Sequence, residues 1–227
     1  MPPKPRSKGP RVRTPGGPEA ESRTRRLLYV IAATGFAGLL VALALVVFGG
    51  GSGTADAARV QTAVEAAGCT LTAVEADEGD HSVPAPGDRV ESWNTFPPTN
   101  GPHYVDPAIF GAYQEPLNQA QVVHDLEHGG IFVQYGEEVS AETVAELRAF
   151  YDRNQNGTLL APLPELGEKI ALGAWVAPSN ASGATDLGTG YLAECTSFDE
   201  DAFAAFFDEF QFKGPERFPA DLLAPGN

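Results

Sequence analysis

From Leu27 to Phe48 the chain reads LLYVIAATGFAGLLVALALVVF, 22 residues without a single charge. A helix needs roughly 20 apolar residues to cross the hydrocarbon core of a bilayer, so this run is long enough to span. Gly35 and Gly38 are tolerated in membrane helices. A buried core helix is the alternative, but such helices rarely lack any polar face. The run therefore divides the 227-residue chain into parts that face different surroundings.

Charge follows the same division. Residues 1–26 carry eight Lys/Arg against two Glu, a net +6, whereas residues 49–227 carry seven Lys/Arg against 28 Asp/Glu, a net −21. Arg23, Arg25 and Arg26 abut the apolar run, and positive flanks stay in the cytoplasm. The expected topology is a single-pass protein of the cell membrane, N-terminus cytoplasmic and C-terminal domain extracytoplasmic. A cleaved signal peptide is the rival, with Ala55–Ala57 as its A-x-A-like site. Signal h-regions are shorter, about 7–15 residues. The strongly acidic outer part would repel nucleic acid.

Four segments follow. Residues 1–26, rich in Pro, Gly and Arg, read as a disordered basic tail. Residues 27–48 form the transmembrane helix, and 49–54 a Gly/Ser tether. Residues 55–227 form one outer domain, long enough to bury a proper core. Its two cysteines, Cys69 and Cys195, lie on the oxidising side, where a disulfide persists.

Within the outer domain, ADAARVQTAVEAAG reads as a helix stopped by Gly68, and CTLTAVEA as a strand. IFVQY, KIALGAWVAP and GYLAECTSF read as further strands. SAETVAELRAFYDR is a helix N-capped by Ser140. SFDEDAFAAFFDEF is another, with Ser197 and Glu200 in capping-box spacing and a stripe of Phe203, Phe206, Phe207 and Phe210. No βαβ rhythm is evident, so the expected class is α+β, with a small mixed or antiparallel sheet and flanking helices. Residues 77–118 are punctuated by Pro and Gly throughout, yet Trp93, Phe96, Tyr104, Phe110 and Tyr113 argue for ordered packing.

All four histidines, His81, His103, His124 and His128, fall between Asp80 and Gly129. HDLEHGG (His124–Gly130) matches the H-x-x-E-H spacing of inverted zinc proteases. On a helix His124 and His128 lie one turn apart and can share an ion. On a strand they stand about 13 Å apart and cannot. The surrounding pattern is divided, with a short helix ending at Gly129 slightly favoured. As ligands for a divalent transition metal, zinc or copper, the candidates are His103, His124 and His128, with His81 as a fourth. Asp125, Glu127 and Tyr104 are candidate supporting residues. The only methionine is Met1, which removes a soft ligand typical of Cu(I). Glu127 would be the general base of a hydrolase. A packed polar network without metal is the plain alternative.

TFPPTNGPHY, VVHDLEHGGIFVQYG, SAETVAELR, LLAPLPEL and ALGAWV, with a late Cys195, resemble a bacterial domain-of-unknown-function family, number 3105. Its members look like membrane-anchored extracytoplasmic proteins and typically carry P-P-T-S-G-P-H-Y and H-N-L-E-H-G. Here Asn100 stands for Ser and Asp125 for Asn, while His103, His124, Glu127 and His128 match. The resemblance runs from about Gly68 to Gly214. It implies a small site built from an irregular loop and the HDLEH turn, with no established activity. The resulting expectation is a membrane-tethered domain with a His-rich metal site. The rivals are a non-catalytic envelope module for a peptide, glycan or membrane-protein partner, and a zinc hydrolase.

Overall fold

The computed structural model describes residues 52–85, 90–178 and 187–226. The expected basic tail and apolar span at 27–48 lie outside the described residues. Among the described residues, no helix is long and apolar enough to cross a membrane. Residues Ala55–Asn227 form a compact unit.

The fold is α+β. Helix α1 (Ser52–Ala66) leads into strand β1 (Thr70–Glu75), β2 (Gly111–Ala112) and helix α2 (Gln119–Glu127). Then come β3 (Ile131–Tyr135), α3 (Ala141–Arg153), β4 (Thr158–Pro162), β5 (Ile170–Val176), β6 (Thr189–Cys195) and α4 (Glu200–Phe210). The helix thus begins within the stretch read as a tether. The six strands form one mixed sheet in the order β1-β6-β5-β3-β4-β2. Pairs β1–β6, β6–β5 and β5–β3 are antiparallel, whereas β3–β4 and β4–β2 are parallel. β3–α3–β4 is therefore a parallel crossover unit, which the sequence reading did not include. β4 is a short apolar run closed by prolines, and β2 has only two residues.

Both faces of the sheet are covered. On one side Ile131, Val133, Leu160, Ile170 and Leu172 pack with Val60 and Val64 of α1, Leu147 and Phe150 of α3, and the α4 phenylalanines. On the other, Phe132, Leu159, Ala171 and Trp175 pack with Val122, Val123 and Leu126 of α2 and with Ala108 and Phe110 of the irregular segment. Central strands covered on both faces read as continuous hydrophobic runs, as IFVQY and IALGAW do. Ser140 caps α3 by accepting from the Thr143 N–H. Helix α4 is capped by Asp199, whose carboxylate accepts from the Ala202 N–H. Ser197 therefore does not cap it; Asp199 sits two residues later, where its side chain reaches the free amide.

β1 is an edge strand with mostly exposed side chains, so burial holds it weakly. Its backbone pairs with β6 from Thr70↔Glu194 to Glu75↔Thr189. Just beyond that register Cys69 and Cys195 form a disulfide across 126 residues of sequence. A loop of that length corresponds to about 5 kcal/mol in the chain-entropy model.

Two outcomes are expected. Replacing both cysteines by Ser should lower unfolding free energy by about 2–5 kcal/mol, read as a shifted denaturation midpoint. Gly173 faces Phe132 across β5–β3, and a Cβ there would stand 2.2 Å from two atoms of that buried ring. Gly173→Ala should therefore cost about 1–3 kcal/mol by overpacking, measured the same way.

Candidate metal centre

Helix α2 is nine residues long, too short to be stable alone. Asn118 caps it by accepting from the Ala120 and Gln121 amides. His128 is the C-cap, and Gly129 follows at φ +94, the left-handed turn that glycine allows. The HDLEH stretch is thus the last turn of a helix, and His124 and His128 share a face with ring centroids 4.6 Å apart.

The irregular segment brings the other histidines to that turn. The His103 N–H donates to the Asp80 carbonyl at 2.9 Å, and the Val83 N–H to the His103 carbonyl at 3.3 Å. The Tyr104 N–H donates to the Ala120 carbonyl at 3.1 Å, which ties this loop to α2. Asn100 organises the loop's base. Its Oδ1 accepts from the Asp77 N–H, and its Nδ2 donates to Asn94 Oδ1. The Trp93 indole N–H donates to the Pro102 carbonyl. At Gly190 a Cβ would meet both Asn100 and Thr99 at 2.3 Å, so β6 has a glycine where the loop presses on it.

His81, His103, His124 and Glu127 each present one ligand atom, all within 4.8 Å of one another. His103 Nε2 lies 3.2 Å from Glu127 Oε2, and His81 Nε2 lies 4.0 Å from it. Donors on a tetrahedral zinc with bonds of about 2.0 Å stand about 3.3 Å apart. The rings of His81, His103 and His124 are 4.8–4.9 Å apart by centroid. His103 is fully buried, Glu127 is 6% exposed, and the His81 side chain is 44% exposed. The group thus has a buried interior and one side open to solvent.

Two tautomers are set by backbone carbonyls, which can only accept. His103 Nδ1–H donates to the Gly101 carbonyl at 2.9 Å, and His124 Nδ1–H to the Tyr104 carbonyl at 2.8 Å. Each ring is left with Nε2 as its remaining ligand atom, the arrangement common in metal-bound histidines. His103 Nε2 and Glu127 Oε2 face each other at 3.2 Å, both buried. Close as they are, only a proton on Nε2 or a cation between them satisfies the pair.

Protonation follows the surroundings. Burial pulls the His103 imidazole down, but hydrogen bonding to Glu127 and Gly101 and the charge of Glu127 outweigh it, leaving it raised. Burial lowers His124, helped by the neighbouring histidines. Burial and the charge of His124 lower His128 to about 4, so it is neutral near pH 7 with a free lone pair.

The structure separates residues that sequence reasoning grouped. His128 is not in the four-donor group. It falls with Glu127 and Glu216 in a second group, because the helical rise carries its ring one turn beyond His124, against Phe218. Glu127, read as a supporting residue or base, places a carboxylate oxygen among the three imidazoles. Tyr104 contributes its carbonyl. Asp125 Oδ2 accepts from the Ala108 N–H at 2.9 Å. Glu216 was not singled out, and nothing local in the sequence marks it.

An α+β domain with a buried His/Glu cluster is therefore the class defined by the fold and its site. The family described as "Protein of unknown function (DUF3105)" matches residues 87–221, and the chain belongs to it. That match contains every residue of the two donor groups except His81. No curated protein and no solved structure matches the chain.

Asp125 generates a pH prediction. Burial pushes its carboxyl well above the ordinary 3.8, so the folded state keeps a proton that the unfolded chain releases. Stability from this group is complete below about pH 4 and is lost as pH rises towards the raised folded value. Asp125→Asn retains an oxygen for the Ala108 N–H and cannot ionise. With a chelator present, denaturation series across that range should show a smaller loss of stability with rising pH in the variant.

Proposed function

We propose that this protein is a membrane-tethered, extracytoplasmic metal-binding domain whose centre is His81, His103, His124 and Glu127. The observation that carries the reading is the buried pair of His103 Nε2 and Glu127 Oε2, 3.2 Å apart, with ligand atoms of two further imidazoles within 4.8 Å. Imidazole-rich donors with one carboxylate suit zinc or copper(II). Membrane tethering rests on the uncharged run Leu27–Phe48 and the basic flank before it. Within that topology the domain handles or holds a divalent transition metal at the envelope.

A hydrolase needs an open coordination position and a free base. Four protein donors converge here, and Glu127 is one of them, which weighs against that reading. The envelope interaction module has its own support: a groove lined by Trp93, Phe96, Leu117, Asn118 and Pro164. Aromatic and proline side chains of this kind suit a peptide or glycan. The groove's lining includes none of the four donors, so it leaves the metal reading untouched.

The test is metal analysis of the full-length chain, purified in detergent without chelator or an affinity histidine tag. Bound zinc or copper is expected in whole-number ratio, with His103→Ala and His124→Ala each weakening it by about 100-fold or more, beyond what loss of a supporting hydrogen bond does. His81→Ala should weaken it less, since His81 is the exposed donor. A chain that arrives without metal and takes up neither Zn2+ nor Cu2+ on titration would sink the reading.

A further inference from the structure

Beyond Gly129 the C-terminal segment folds back along the end of α2. The Phe212 N–H donates to the Gly129 carbonyl at 2.7 Å, the Glu216 N–H to the Glu127 carbonyl at 2.9 Å, and the Phe218 N–H to the His128 carbonyl at 3.3 Å. The approach is so close that side chains are excluded. A Cβ on Gly214 would stand 2.2 Å from the Glu127 carbonyl oxygen, and one on Gly129 would stand 2.9 Å from Phe212 Cα. Three backbone hydrogen bonds thus hold Glu216 above the last turn of the helix.

There its carboxylate meets His128. Glu216 Oε2 lies 3.9 Å from His128 Nε2. With Glu127 these residues present three ligand atoms within 4.8 Å of one another. Two carboxylates at this spacing repel, and Glu127 is 6% exposed, so little solvent screens it. A cation between them relieves the repulsion. The C-terminal end of α2 also carries the negative end of the helix dipole, which favours positive charge at the same point.

We infer that Glu127, His128 and Glu216 form a second divalent-metal site, which shares the Glu127 carboxylate with the His81–His103–His124 group and makes a two-metal centre. The inference rests on the metal reading of that first group. The two sites differ in character. The first is imidazole-rich, with a buried interior. The second is carboxylate-rich and lies at the rim, where the Glu216 side chain is 59% exposed. Two-metal centres place their ions about 3.5–4 Å apart, a separation that a shared carboxylate between adjoining donor groups suits. The rim ion would exchange with solvent faster than the inner one, so the inner site fills first and holds longer.

The experiment is Zn2+ titration of the full-length chain after stripping with chelator, followed by metal analysis of wild type, Glu216→Gln and Glu127→Gln. Wild type should hold two Zn2+ per chain. Glu216→Gln should hold one, with the affinity of the remaining ion within about threefold of the tighter wild-type site. Glu127→Gln should weaken both. Because Glu216 is exposed, its substitution does not threaten the fold, and an unchanged melting curve for the stripped variant checks this. A Cu2+-loaded wild type should show the spin coupling of an adjacent pair by electron paramagnetic resonance, and Glu216→Gln should not. One Zn2+ in wild type, or two retained in Glu216→Gln, overturns the two-metal centre and leaves the first site standing. No Zn2+ in any form overturns both.

Discussion

The carboxylate of Glu127 is the group on which the site's architecture turns. It lies at the end of a nine-residue helix, 6% exposed. Removing a carboxylate from water costs several kcal/mol unless opposite charge or full hydrogen bonding compensates. No lysine or arginine forms an ion pair with it among the described residues. Three histidines face it instead, with His103 at 3.2 Å. Imidazoles compensate a buried carboxylate in two ways, by holding a proton or by sharing a cation. The carbonyls of Gly101 and Tyr104 occupy the other ring nitrogens of His103 and His124, so whatever compensates Glu127 has to sit at Nε2.

The rest of the domain keeps that point fixed. α2 is pinned on one side by the sheet, where Leu126 packs with Phe132 and Trp175, and on another by the returning C-terminal segment. Trp175 forms the floor, 6.4 Å from the His103 ring. Gly79 leaves the room it needs, since a Cβ there would stand 2.4 Å from the Trp175 ring and 2.8 Å from Glu127 Oε1. Residues 77–118 have little regular structure, yet they are tied down by Asn100, Trp93 and the hydrogen bonds of His103. A loop held by polar side chains and glycine contacts can present carbonyls at angles that a regular element cannot. That freedom lets it fix two imidazole tautomers at once.

Several elements were legible because their signals are local. The β-branched alternation of CTLTAVEA and the apolar runs IFVQY and IALGAWV became β1, β3 and β5. The α3 cap at Ser140 and the phenylalanine stripe of α4 followed from spacing alone. Other elements were not legible. β4 is five residues closed by Pro162, and it is a strand because β3 and β2 pair with it. α2 was ambiguous because VVH favours extended backbone. Packing of Val122, Val123 and Leu126 against the sheet, with Asn118 capping the start, decided for helix. At the site, the clustering of four histidines in one stretch pointed to the right region. The division of labour among them did not follow from the stretch, since helical rise carries His128 towards Glu216 and rotation carries Asp125 towards Ala108.

The sequence by itself determined the apolar run and its charge asymmetry, the positions of the strongly periodic elements and the identity of the polar groups available for chemistry. These are properties of spacing and composition, set by neighbours within a few residues. Tertiary structure alone decided which donors meet. Glu127 and His103 are 24 residues apart in sequence, and Glu216 is nearly 90 further on. Their convergence depends on a loop path, on a helix end and on glycines at Gly129 and Gly214 that let two backbones touch. Such contacts leave no local periodicity, because each is determined by steric room that only the folded chain defines.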